Sequence, residues 1–183
     1  MSAFGITSKQ HLALPVFLDW MTENYFCDPD TGRTYSKRYG RGRNSVREVG
    51  SPEKGDRIVI QTRSEEWGRV CIYRSNMVWC LSRKETIEID MEIDHINRMC
   101  GDDRLVNLRK VTSSQNKYNT GLRSHNTSGH RGVWQSGDKW VARITVVGVV
   151  HTRHGLVSLD EAIRVRMDLE AQFGVSQYMG DRE

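Results

Sequence analysis

Residues 93–120 read IDHINRMCGDDRLVNLRKVTSSQNKYNT, and the rest of the chain is organised around this stretch. Just upstream and into it, apolar and acidic residues alternate from Ile87 to Asp94. A period of two is typical of a half-buried strand, so Asp94 ends that strand on its polar face. His95 follows where the strand is expected to give way to a loop. Two asparagines come later, at Asn107 and Asn116.

The remainder of the stretch predicts a loop, a return strand and a helix. Gly101 and the two Asp residues after it are turn-forming residues. The run from Leu105 to Val111 is apolar and basic enough to be the return strand, which would contain Asn107. Thr112 begins a capping-box pattern, with Gln115 at the third helical position. The unit is therefore strand, loop, strand, helix, with Asn116 just inside the helix.

Asp94, His95 and Asn116 suit the hydrolysis of a phosphodiester. A divalent cation neutralises charge on the transferring phosphoryl group and stabilises the leaving oxygen. Asp and Asn supply oxygen donors, which favour Mg²⁺ or Mn²⁺ over zinc. A neutral histidine beside the metal can take a proton from the attacking water. The alternative is that Asp94 and His95 only end a strand and hydrogen-bond to it.

The segments DHIN, NLR and QNKYN resemble the HNH endonuclease motif of phage and intron homing enzymes, whose pattern is DHINxxxxDNRxxNLRxVTxxxNxxN. The resemblance implies a ββα-metal (HNH, or His-Me finger) nuclease. It implies that Asp94 and Asn116 are metal ligands, that His95 is the general base, and that Asn107 is structural and holds the loop that aims His95.

The chain departs from that family pattern at two places. Asp103 stands where the family often has Asn, and we expect no part of the mechanism to depend on it. Upstream of a short apolar helix, many relatives carry a His-Arg pair, and this chain has Tyr73 and Arg74. Arg74 is a candidate for part of that role.

A second module is expected over residues 129–183, as three strands and a helix. The strands are predicted at 132–135, 139–146 and 149–153, and the helix from Ser158 or Asp160 to about Phe173. Ser136-Gly137-Asp138 and Val147-Gly148 mark the turns. An imperfect apolar stripe, with Ile163, Met167 and Leu169 or Glu170, is expected to face the sheet.

RGVW, then KW, then Asp-Glu-Ala in the helix resemble the three-stranded DNA-binding domain of the plant ethylene-response-factor (Apetala) type, which also occurs at the C-terminus of phage homing endonucleases. In that family the exposed sheet face enters the major groove. The resemblance implies DNA contacts by Arg131, Trp134, Lys139, Arg143 and Arg153 here. Core packing is the alternative for Trp134.

Composition favours a nucleic-acid partner. The 183 residues suffice for one ordinary or two small domains. Net charge is +4, and between Arg104 and His154 nine Lys or Arg accompany a single acid, Asp138. Such a concentrated basic stretch is typical of a nucleic-acid binder, and the two resemblances imply that the partner is double-stranded DNA. The four cysteines form no CxxC pair, which argues against a structural zinc site. We expect a cytoplasmic protein with no membrane partner, monomeric, with a dimer as the alternative.

The expected α+β organisation is a nuclease domain over residues 1–119, with its ββα-metal core at about 87–119, a polar linker at 120–128, and the small antiparallel sheet with its helix at 129–183. Arg123 in the linker is a candidate DNA contact. The Arg/Gly-rich loop at 38–47 is either a mobile surface loop or a phosphate contact.

Pro15 is expected to start an apolar helix, and Tyr25 to Tyr35 to form a hairpin. The predicted function is a metal-dependent DNA endonuclease of the homing type, which nicks or cuts both strands. The alternatives are a non-catalytic DNA-binding regulator on the same scaffold and a less specific phage nuclease.

Overall fold

A computed structural model describes residues 8–37, 46–122 and 124–176. The described chain mixes five α-helices with small antiparallel sheets. It forms two compact units, Met1–Ser113 and Ser114–Glu183. Most of the Arg/Gly-rich loop at 38–47 and the linker residue Arg123 lie outside the described residues.

The first unit holds three small antiparallel sheets packed with helices. Their orders are β1-β2-β3, β4-β5-β6 and β7-β8. Its elements are α1 (Ser8–Leu12), α2 (Pro15–Asn24), β1 (Tyr25–Asp28), β2 (Arg33–Ser36), β3 (Arg47–Glu48), β4 (Ser51–Pro52), β5 (Ile58–Ser64), β6 (Gly68–Tyr73), α3 (Arg74–Arg83), β7 (Met91–His95) and β8 (Leu108–Thr112).

The core of the first unit forms where α2 and α3 meet. Pro15 occupies the first turn of α2, as predicted, and the helix buries Phe17 and Met21 completely. Met77 and Val78 of α3 are equally buried in the same cluster. Each such side chain contributes about 1.5–3 kcal/mol through burial. The predicted hairpin at 25–35 is present as β1 and β2.

The strand predicted from Ile87 to Asp94 is shorter and shifted. β7 covers only Met91–His95, because its partner β8 pairs from Thr112 opposite Met91 to Leu108 opposite His95 and ends there. Ile87 is still buried, but its N–H donates to the carbonyl of Leu12 rather than to a neighbouring strand. His95 therefore lies in a strand and not in a loop.

Two further predictions about this region are corrected. Leu105–Asn107 forms a 3₁₀ turn instead of strand, so Asn107 precedes β8. The helix predicted from Thr112 is a single turn, α4 (Ser113–Asn116), followed by a 3₁₀ turn at Lys117–Asn119. No residue of α4 is buried, and without an apolar face a short helix gains too little packing to extend.

The second unit contains the predicted sheet and helix. Its elements are β9 (Val133–Ser136), β10 (Lys139–Val146), β11 (Val149–Leu156) and α5 (Leu159–Gln172), and the sheet order is β11-β10-β9. Ser158 caps α5 by accepting a hydrogen bond from the N–H of Glu161. Ile144 of β10, Leu169 of α5 and Val175 form the apolar cluster between sheet and helix.

The inward face of α5 differs from the predicted apolar stripe. Met167 is 47% exposed, whereas Arg166 and Glu170 are almost fully buried. Their charged groups pair at 3.2 Å between Arg166 Nη1 and Glu170 Oε1. Arg166 Nε also donates to the carbonyl of Arg131. Of the predicted stripe, Leu169 is buried and Met167 is not, and an ion pair lies beside Leu169 on the inward face.

Within the described residues, no helix combines the length and the apolar character required to cross a membrane.

Candidate active site and basic sheet face

Asp94 and His95 end β7 in a nearly buried position. Their exposed fractions are 7% and 9%. The register sets Asp94 opposite Arg109 and His95 opposite Leu108. Successive side chains of a strand point to opposite faces. Asp94 and His95 therefore contact different neighbours.

The His95 ring contacts a buried carboxylate. His95 Nε2 lies 2.8 Å from Oδ1 of Asp103, whose side chain is 2% exposed. The other carboxylate oxygen of Asp103 accepts a 2.7 Å hydrogen bond from Arg74 Nε. We expected nothing to depend on Asp103, but the structure places it directly against His95. Arg74 therefore contacts the same carboxylate as His95.

Asp94 is paired with a guanidinium. Arg109 Nε and Nη2 both lie 2.8 Å from Oδ2 of Asp94. Both side chains are mostly buried, so the attraction is screened less than at a surface. The carboxylate predicted to bind a metal is thus already neutralised by a neighbouring cation.

Asn107 ties together the two ends of the loop after His95. Its Oδ1 accepts from the backbone N–H of Asn97 at 2.9 Å. Its Nδ2 donates to Asn97 Oδ1 at 2.9 Å and to the carbonyl of Asp102 at 2.8 Å. Asn107 therefore holds this loop together, with Asn97 as a partner that the sequence did not indicate. That the loop aims His95 for catalysis stays a prediction.

Asp102 adds a second layer to this loop. It accepts hydrogen bonds from Arg104 Nε at 2.7 Å and from Asn97 Nδ2 at 2.8 Å. The side-chain hydrogen bond from Arg104 is the main reason that the pKa of Asp102 falls to about 2. The loop is consequently held by side chains of its own sequence.

Few protein donors are available for the predicted cation. The described residues contain no group of three His, Cys, Asp or Glu that could hold a metal. A Mg²⁺ site needs only one or two protein carboxylates or amides when water and a substrate phosphate complete it, and Asp94 is such an oxygen donor. Asn116 belongs to the second unit, and its role as a ligand stays a prediction.

The second unit presents cations on the sheet face opposite α5. On β10, Lys139 and Arg143 lie two residues before and after Val141, so their side chains point to the same face as that of Val141. Trp134 of β9 pairs with Val141 and therefore shares this face with Lys139 and Arg143. All three are exposed, with Trp134 at 39%. Trp134 is not a core residue.

Arg153 does not share that face. It pairs with Ala142, on the side of the sheet that packs against α5. The two-residue turn at Val147-Gly148 sets this register, which pairs Arg143 with Thr152 instead. Arg153 is exposed on the edge strand β11. A contact between Arg153 and DNA would therefore be made at the edge of the sheet and not on its face.

Arg131 is turned back onto the segment predicted to be a linker. Its guanidinium donates to the carbonyls of Lys117 and Gly121, at 2.6 and 3.2 Å, and to that of Thr120. Ser128 in the same region is buried and donates to the carbonyl of Val133 at 2.7 Å. Between this segment and the sheet, an open cleft of about 1160 Å³ is lined by Lys117, His125, Arg131, Trp134 and Arg143 among others.

Comparison of the chain with protein families, with curated proteins and with solved structures found no significant match.

Proposed function

We propose that this protein is a divalent-metal-dependent DNA endonuclease of the HNH homing type, with a ββα-metal core formed by β7, β8 and the short helix after them. The observation that supports this most is the setting of His95. The imidazole ends a strand beside Asp94, is held by a buried carboxylate, and adjoins a loop that Asn107 closes.

Asp94 would hold the metal, Mg²⁺ or Mn²⁺, and Asn116 is the second ligand that the family resemblance implies. When bound, the cation offsets the charge that builds on the transferring phosphoryl group and its leaving oxygen. His95 would take the proton of the attacking water. Arg109 pairs with Asp94, so a metal bound at that carboxylate would compete with the ion pair.

The second unit would read the DNA. Lys139 and Arg143 can bind phosphates or guanine edges, and Trp134 can pack on sugars and bases. Their common face away from α5 supports this assignment. One catalytic site per chain means that a monomer acting in the cytoplasm nicks, and that a double-strand cut needs a dimer or two visits.

The decisive test is conversion of supercoiled plasmid and of phage or bacterial genomic DNA, with Mg²⁺ and with chelator. We expect metal-dependent open circles from the wild type and a loss of about 10²–10⁴-fold in His95→Ala, the range of general-base contributions. His154→Ala removes an exposed histidine of the second unit and is the matched control. Equal cleavage by His95→Ala and wild type contradicts the proposed base.

A specific observation favours a second candidate, a DNA-binding regulator that does not cut. The ion pair between Asp94 and Arg109 competes with metal binding and fits a scaffold that has lost catalysis. Retention of DNA in a gel shift, with no cleavage of any substrate in Mg²⁺ or Mn²⁺, would establish this alternative. Metal-dependent cleavage excludes it.

A further inference from the structure

We propose that Val147 and Val150, at the end of the β10–β11 hairpin, form an apolar contact that recognises thymine methyl groups in the major groove of DNA. This inference rests on the DNA binding proposed above for the second unit. It adds a contact that depends on base identity to cations that bind any phosphate, and it can be measured without any cleavage.

Val150 lies on the sheet face that carries the exposed cations. The register pairs Arg143 with Thr152 and Thr145 with Val150. Directly paired residues of an antiparallel ladder share a face, as do residues two apart on one strand. Val150 is therefore opposite Thr145 and diagonal to Arg143, a separation of about 7–8 Å. Val150 is 48% exposed, so an apolar side chain stands in solvent close to a guanidinium.

The turn residue Val147 is poorly suited to its own backbone conformation. Its φ of +47° lies in the left-handed region, which β-branched residues rarely adopt, and Val147 is 90% exposed. Asn or Gly is the usual residue at this position of a two-residue hairpin turn. Strained residues of this kind cluster at sites that bind ligands. A binding role therefore explains a valine here better than the turn itself does.

The open cleft of the second unit joins this turn to the cations. The cleft of about 1160 Å³ is lined by Val147 and Thr145 and also by Lys117, Trp134 and Arg143. None of the described residues that line it is Asp or Glu. A polyanion attracted by Lys117 and Arg143 would lie against the turn, and this charge complementarity favours DNA as the occupant of the valine surface.

Apolar contact is a known means of recognising thymine in the major groove. Each thymine presents its C5 methyl group there, and apolar side chains pack against it. Val147 and Val150 offer methyl groups on either side of the turn, and Thr145 adds one opposite Val150. Burying one additional methyl group raises affinity about fourfold.

The first experiment compares two duplexes of equal length, alternating dA-dT and alternating dA-dU, which have the same hydrogen-bonding groups and differ in the C5 methyl. Fluorescence anisotropy in chelator measures their binding by the full-length protein. We expect the wild type to prefer the dA-dT duplex by about fourfold or more, and Val150→Ser and Val147→Asn to lose most of this preference. Equal affinity of the wild type for both duplexes overturns the proposal and leaves DNA binding intact. Failure to bind either duplex at low salt refutes the DNA-binding function and this inference with it.

Val149→Ser is the matched control. Val149 adjoins Val150 and is 58% exposed, but it pairs with Val146 and so lies on the α5 side of the sheet. We expect this variant to keep the wild-type preference for the dA-dT duplex. A loss as large as that in Val150→Ser would overturn the assignment of the contact to the cationic face.

The salt dependence of binding separates this apolar contact from loss of charge. The slope of log K against log salt reports phosphate contacts. Val150→Ser should therefore weaken binding to the dA-dT duplex without changing the slope, and a slope lowered by about 1, as for a lost phosphate contact, contradicts the proposal.

A second copy of this chain is the other occupant that exposed valines could fit. Sedimentation of the wild type and of Val150→Ser across a range of protein concentrations tests it. We expect no self-association that depends on Val150. A dimer that Val150→Ser abolishes would assign the valines to self-association and overturn the DNA contact.

Discussion

The hairpins β7–β8 and β10–β11 differ in where their charged side chains lie: they are buried and paired in the first and exposed in the second. In β7–β8, Asp94 pairs with Arg109 and His95 contacts Asp103, and all four side chains are largely buried. The loop between those strands is tied by its own asparagines and aspartates. The hairpin β10–β11 turns in two residues and keeps its cations in solvent.

The difference fits the two tasks that we propose. Proton transfer needs a ring held in one orientation, which burial and paired hydrogen bonds provide. Binding a polyanion needs cations that exchange their counterions for phosphates, and these must be exposed. Substitutions in either hairpin, in its loop or in its neighbours test this contrast.

The buried pair of Arg166 and Glu170 is the exception in the second unit, and Arg166→Ala should have the largest effect on stability. It leaves the Glu170 carboxylate buried without its 3.2 Å partner, which costs about 3–5 kcal/mol. Urea unfolding of the second unit measures the loss. The double variant Arg166→Met with Glu170→Leu should recover most of it, and a double variant as unstable as the single one contradicts the ion-pair explanation.

Asn107→Ala tests whether the loop after His95 depends on its own side chains. The variant loses three hydrogen bonds, to the Asn97 backbone, the Asn97 side chain and the Asp102 carbonyl. Leaving buried donors and acceptors unsatisfied costs about 1–3 kcal/mol. In this variant, amide hydrogen exchange should be accelerated more in residues 96–107 than in α2. Equal protection of residues 96–107 in the variant and the wild type would contradict the claim that Asn107 holds the loop.

Arg143→Ala and Arg153→Ala compare the two sides of the sheet. Loss of one phosphate contact reduces the slope of log K against log salt by about 1, so Arg143→Ala should show that change. Arg153 lies on the α5 side of the sheet, and its removal should change the slope less. Fluorescence anisotropy across a salt series measures both, and an equal change in the two variants would refute the choice of face.

Val147→Asn should have the smallest effect and the opposite sign. Val147 is β-branched, is 90% exposed and has φ +47° in the turn before Gly148. Asn tolerates this left-handed conformation and Asn-Gly suits a two-residue hairpin turn, so we expect stabilisation of about 1 kcal/mol. Thermal unfolding checks it. Unchanged or lower stability would indicate that the Val147 side chain has a partner in the fold.

Local patterns in the sequence were enough for much of the fold. Pro15 predicted the start of α2, and Val147-Gly148 predicted the turn of β10–β11. Of the two predicted starts of α5, Ser158 or Asp160, the structure has Ser158 as the cap. These features depend on neighbours within a few residues, where propensity and spacing act directly. The adjacent Asp94 and His95, and the basic stretch after Arg104, were visible for the same reason.

Tertiary structure alone decided which groups meet. Asp103 contacts His95 because Arg74 and the Gly32 turn, both distant in sequence, fix its place. β7 stops short because β8 is only five residues long. Arg166 is buried where its Nε donates to the carbonyl of Arg131, 35 residues earlier in the chain. Such contacts depend on packing between segments that carry no local signal of one another, so periodicity and motif spacing could not reveal them.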